Sequence, residues 1–209
     1  ISREQAQAAL QKFLRSSAAI AGSAAREAQL SEVTLVHLPF WAAWGKVLGW
    51  VFGEKAVGSG DSRRLEPREM RVMEEMSWNG AACDVGEFGV TAISLQGRSL
   101  EAFNPDALHR SGLVFEPMGS PDEAWRSAST DFEQRVSQQA GLNRVAQRFI
   151  RVLRPRLGVV YYPLWVLRYL YRGRSFQVAV DGFSGEVLYG KAPGNVLYRA
   201  AALVGGMAA

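Results

Sequence analysis

The chain is 209 residues long, 48% apolar and 21% charged, with a net charge of +4 at neutral pH. These values describe an ordinary globular chain of one or two domains and exclude a disordered, charge-dominated segment. The mild charge falls short of a dedicated nucleic-acid binder, and a single cysteine, Cys83, excludes both an internal disulfide and a cysteine-type zinc site.

Residues 2–16 read as an amphipathic helix. Ser2 and Gln5 match a capping box, in which reciprocal side-chain bonds satisfy free backbone donors, and Ala6, Leu10, Phe13 and Leu14 recur on one stripe. The Ala-rich stretch 18–30 reads as a short helix or a linker. Residues 32–53 read as strand, heavy in aromatics at Trp41, Trp44, Trp50 and Phe52. Gly45 suggests a turn or bulge, and Gly49 a close backbone approach. Pro39 cannot donate to a ladder, which calls for an edge or a bulge there. Residues 54–69 are polar, with Gly58-Ser59-Gly60 and Arg63-Arg64, and predict an exposed loop. The pattern at 71–78 fits strand or helix equally. Asn79-Gly80 predicts a tight turn, and 90–95 a strand.

Asn104 followed by Pro105 predicts a helix start, and Gly112 its end. Ser120, Pro121 and Glu123 give a second capping box, opening a helix towards Ala140. After a break at Gly141, Leu142, Val145, Ala146, Phe149 and Leu153 keep helical spacing. The same stretch carries Arg144, Arg148, Arg151, Arg154 and Arg156, and so predicts a basic helix stopped by Pro155.

Residues 156–189 predict a three-stranded antiparallel meander, turning at Arg172-Gly173-Arg174 and again at Asp181-Gly182-Phe183-Ser184-Gly185. Gly182 and Gly185 are expected at positive φ, and the Asp181 carboxylate on the backbone of its own turn. Val160-Tyr161-Tyr162-Pro163-Leu164-Trp165 repeats the Pro-x-Trp pattern of Val36-His37-Leu38-Pro39-Phe40-Trp41. The expected fold is therefore α+β: antiparallel β-meanders with helices packed on one face, in two related halves. Residues 1–53 form the first, degenerate half and 121–192 the second. Residues 54–120 connect them, and 193–209 form a tail.

The helix followed by a meander with Val180, Asp181, Gly182, Ser184, Gly185, Glu186 and Val187 at its second turn resembles the PepSY-like domains. The paired Pro-x-Trp strands also look like uncharacterised bacterial membrane proteins, in which a zinc ribbon precedes such a domain and transmembrane helices follow. The resemblance implies a fold and a binding or regulatory role. It transfers no catalytic residue.

No catalytic constellation, cofactor motif or metal-ligand spacing stands out. His37 and His109 are 72 residues apart, and Asp84 beside Cys83 disfavours a reactive thiolate. The group that most suggests function is Tyr161, Tyr162, Arg168, Tyr169, Tyr171, Arg172 and Arg174: aromatics and cations that together can hold anionic headgroups or stack bases, or else a plain core strand whose tyrosines sit at the rim and whose arginines reach water. The uncharged residues 200–209 follow Lys191 and Arg199. They read either as a floppy Ala/Gly tail or as the start of a spanning helix, whose flanking cationic residues would put the domain on the cytoplasmic face of a membrane. The functional expectation is a non-enzymatic, membrane-proximal interaction module that takes a protein or peptide partner and uses no cofactor. Contact with an anionic membrane surface is a further expectation. The alternative is a nucleic-acid-binding domain built on the basic helix and the Tyr/Arg strand.

Overall fold

The computed structural model describes residues 1–60, 63–95 and 97–194. It is an α+β structure dominated by one mostly antiparallel sheet. Two very long strands organise it, β1 (Gln29–Val57) and β4 (Arg144–Tyr171). With β2 (Arg64–Ala81), β5 (Arg174–Asp181) and β6 (Val187–Gly190) the strand order is β2-β1-β4-β5-β6. The short β3 (Leu113–Val114) pairs in parallel with β1 at Val36 and His37. The strands bearing the two Pro-x-Trp segments are thus neighbours in the sheet.

The helices begin where local chemistry dictates. In α1 (Arg3–Phe13) and α4 (Pro121–Ala140) both capping boxes are formed, on Ser2 with Gln5 and on Ser120 with Glu123. The seven-residue α3 (Pro105–Ser111) is capped by Asn104 and ends at Gly112. The four-residue α2 (Ala24–Glu27) falls within the Ala-rich stretch.

Several expectations are corrected. The basic stretch from Arg144 is strand, not helix. Gly141 takes a left-handed conformation (φ 58°) that closes α4, and Ile150 and Val152 then alternate into the core beneath that helix. Most of the expected loop at 54–69 is the end of β1 and the start of β2, paired from Glu54↔Pro67 to Val57↔Arg64. Asn79-Gly80 does not turn the chain; both residues lie in β2, opposite Ala42 and Trp41. Residues 90–95 form no strand, although Val90 and Ile93 are buried. Pro39 lies on β1 between the β3 pairing at 36–37 and the β2 pairing that starts at Phe40, so no ladder on that side needs its missing N–H. Pro163 likewise immediately precedes the first β4–β5 pair, Leu164↔Asp181.

The described residues divide into two compact units, and their boundaries are not those of the sequence halves. The first comprises Ile1–Pro39, Cys83–Glu116 and the residues from Tyr161 onward; the second comprises Phe40–Ala82 and Pro117–Val160. In the first, Ala6 and Leu10 from α1 and its C-cap Leu14 pack on Leu167, Tyr169, Tyr171, Val178 and Val180. In the second, Ala128, Phe132, Val136 and Ala140 from α4 pack on Ala43, Val47, Val51 and Met76. Gly49 belongs to this layer: a Cβ there would lie 2.4 Å from a Val136 methyl carbon, so α4 can seat only over a bare backbone. No helix among the described residues is long and apolar enough to cross a membrane, and the uncharged tail at 200–209 lies outside the described residues.

Candidate functional site

In the first unit the most highly connected polar group is the carboxylate of Asp181, at the end of β5. Its Oδ1 accepts the backbone N–H groups of Phe183 (2.7 Å) and Ser184 (3.2 Å), the own-turn bonds expected of an Asp in this position. Its Oδ2 accepts the Tyr162 hydroxyl (2.7 Å) and the Arg98 guanidinium (3.0 Å). Burial alone would push the carboxyl up. The Tyr162 hydroxyl, the two turn N–H groups and the Arg98 charge outweigh it, and Asp181 is held below the usual carboxylate range. Tyr162 moves the other way: burial and the neighbouring carboxylate push its hydroxyl well above the ordinary phenol range. The Arg98 guanidinium also lies over the rings of Phe183 (4.6 Å) and Tyr162 (5.3 Å).

With four donors on two oxygens, Asp181 is a clasp. It ties the 83–116 segment and β4 to the β5–β6 turn and has little capacity left for proton transfer or metal binding. Gly185 has the expected positive φ (75°). Gly182 does not. It is glycine because the turn is pressed onto Pro163, whose carbonyl oxygen would be 2.6 Å from an added Cβ.

The tyrosines and arginines of β4 and β5 do not assemble into one binding face. Tyr162 lies on the Asp181 side of the strand, whereas Tyr169 and Tyr171 enter the core under α1. Tyr169 donates to the Lys191 carbonyl, and its burial pushes the hydroxyl up to about 12. The Tyr171 and Ser23 hydroxyls are 2.9 Å apart, and Tyr161 stacks on Phe103. Arg168 binds Glu32 and Glu87, and Arg172 binds Glu27. Tyr171 and Arg174 close the β4–β5 ladder around Arg172-Gly173, both at positive φ, a two-residue hairpin turn.

The remaining sequence candidates are also in structural roles. Ser111 donates its hydroxyl to the Leu108 carbonyl, so its oxygen receives the Nε2–H of His37. The other ring nitrogen, Nδ1, is buried without a hydrogen-bond partner among the described residues, and burial lowers the pKa of the ring. His109 is on α3. Burial and then Asp84 raise the Cys83 thiol, the opposite of activation. No group of three or more histidine, cysteine or acidic side chains among the described residues could hold a metal ion.

In the second unit, residues from several segments of the chain share the sheet face opposite α4. The β1–β2 register sets Trp44, Lys46, Leu48, Trp50 and Phe52 against Ser77, Glu75, Met73, Arg71 and Glu69. Phe52 meets Phe149 of β4 edge-to-face, with centroids 6.2 Å apart. Trp50 is 43%, Phe149 53% and Met73 67% exposed. Arg71 lies over the Trp50 ring and binds Glu69. At one end an open cleft of about 460 Å³ is lined by Trp44, Lys46, Glu75, Leu153, Arg154 and Arg156. Arg154 there holds φ at +49°, a conformation that costs a non-glycine residue about 1 kcal/mol or more.

Neither a protein-family model, nor a curated protein, nor a solved structure matches this chain.

Proposed function

We propose that the chain is a non-enzymatic interaction module that works on the cytoplasmic face of a membrane and takes an extended segment of a protein partner. The observation that carries the reading is β2. It is 18 residues long, stands at one end of the strand order and pairs with β1. A terminal strand presents a row of backbone donors and acceptors along its outer side, to which a peptide can add as a further strand. Pro67 and the alternating charges of Glu66, Arg68, Glu69 and Arg71 discourage indiscriminate pairing and leave room for a partner of matching charge.

The finer architecture belongs to the same proposal. Two related halves, each a capped helix followed by a long Pro-x-Trp strand, carry their helices on one face, and the second half is PepSY-like. The order α4-β4-β5-β6 supports this. So does the parallel use of two indoles: Trp41 donates to the Met118 carbonyl and Trp165 to that of Ile1.

The test is to capture partners from a membrane extract by cross-linking, synthesise the cross-linked segment, and measure amide exchange of 64–81 with and without it. Slowed exchange along β2 is expected. Binding that leaves β2 exchange unchanged would remove the strand-addition reading.

A further inference from the structure

We infer that the sheet face opposite α4 in the second unit docks on an anionic lipid bilayer, an inference that rests on the membrane-proximal part of the reading above. Three observations carry it. First, the face exposes aliphatic as well as aromatic side chains. Leu65, Met73, Val145 and Leu153 are all substantially exposed beside Trp50 and Phe149. Apolar chains of this mixture, with tryptophan among them, suit the boundary between headgroups and acyl chains.

Second, the charge of the face is unbalanced in one direction. Each carboxylate on it has a cation at hand: Glu69 binds Arg71, Glu54 lies 3.9 Å from Arg144, and Glu75 stands opposite Lys46 in register. Arg151, Arg154 and Arg156 have no ion pair among the described residues, and the whole of β4 contains no aspartate or glutamate. An excess of arginine around an apolar surface complements phosphate-bearing lipid.

Third, two of those arginines line the open cleft with Lys46 and Trp44. β4 leaves its regular course there. Arg154 is at φ +49°, and the strand crowds Gly45 so closely that an added Cβ would come within 2.4 Å of a Val152 methyl carbon. Glu75 also lines the cleft and faces Lys46, so the net charge there is that of Arg154 and Arg156, around a space that a headgroup phosphate can enter.

Nucleic acid fits this face less well. The aliphatic groups offer nothing to stack on, Trp50 already carries Arg71, and Phe52 and Phe149 meet edge-to-face, which denies a base a parallel ring pair.

The experiment is co-sedimentation of the full chain with vesicles of phosphatidylcholine alone and of phosphatidylcholine with about one-third phosphatidylserine. Binding is expected to the second kind and to weaken with salt. Phe149→Glu should reduce it about tenfold or more, through loss of apolar insertion and added repulsion. The pair Arg151→Gln and Arg156→Gln should reduce it by about fivefold per arginine. Arg15→Gln with Arg26→Gln, an equal charge change in the first unit, should have little effect. The three variants alter exposed side chains, and circular dichroism checks that they fold. The inference is overturned if anionic vesicles fail to bind, or if the Arg15/Arg26 pair weakens binding as much as the Arg151/Arg156 pair. It is also overturned if the face instead holds a mixed-sequence oligonucleotide or a second copy of the chain in a Phe149-dependent way. A failed vesicle assay with peptide-slowed exchange in β2 would leave the partner-binding proposal standing.

Discussion

Asp181 accepts four hydrogen bonds from three separate parts of the first unit, so changing its charge changes the unit's stability. Asp181→Asn keeps the shape but leaves Arg98 without its counter-charge. It should cost on the order of 2 kcal/mol, read as a lower urea midpoint. The carboxyl is held below its ordinary value in the folded chain. The folded state therefore binds fewer acid-range protons than the unfolded one, whose aspartates titrate near about 3.9. The stabilisation is present above that value and is lost as pH falls through the folded pKa. Stability should drop on acidification, and Asp181→Asn should flatten the drop. Tyr169 has the opposite sign. Its hydroxyl is raised to about 12 by burial, so its contribution is complete below about pH 10 and lost above. Absorbance titration should show Tyr162 and Tyr169 silent until the chain unfolds in alkali.

How much of this was legible in the sequence depended on how local the signal was. The Asp181 turn bonds could be read because the carboxylate reaches N–H groups only two and three residues on; the place of Gly182 could not, since it is set by Pro163. Arg98 could not: it lies in a polar stretch with no periodic pattern, and its partner is 83 positions away. The arrangement of the Tyr/Arg group was not legible for a nearer reason. Tyr161 and Tyr162 are adjacent on a strand and must point to opposite faces, and Arg168 and Arg172 have carboxylates from distant segments.

Among elements, the capped helices were readable and the strand at Arg144 was not. Val145, Phe149 and Leu153 recur every four residues, a spacing that lies on one side of a helix and equally on one side of a strand. Only Ile150 and Val152, which enter the core on the other side, separate the two periods. The polar run at 54–69 failed similarly: an exposed ribbon has the composition of a loop. The α4 layer gives a sharper test. Gly49→Ala should cost about 1–3 kcal/mol, since its new methyl group meets Val136. In a double-mutant cycle with Val136→Ala the two losses should be less than additive. Full additivity would mean that α4 is not seated there.

On the scale of the molecule, neither compact unit is a continuous piece of chain. The first is made of three segments and the second of two, and β1 and β4 each run without interruption from one unit into the other. Unfolding should therefore be a single transition, with tryptophan fluorescence and far-ultraviolet dichroism giving coincident curves. Two separated transitions would show that the strands can part at 39–40 and 160–161.

The same interleaving sets a timetable for a ribosome. Everything the second unit needs has been synthesised by Val160, whereas α1, made before it, must wait for the second half of β4 and for β5 before its apolar stripe has a surface to cover. Residues of α1 emerge before the second unit and are buried after it. Until β5 is made, Leu10, Leu14 and the opening half of β1 remain open to whatever holds nascent chains.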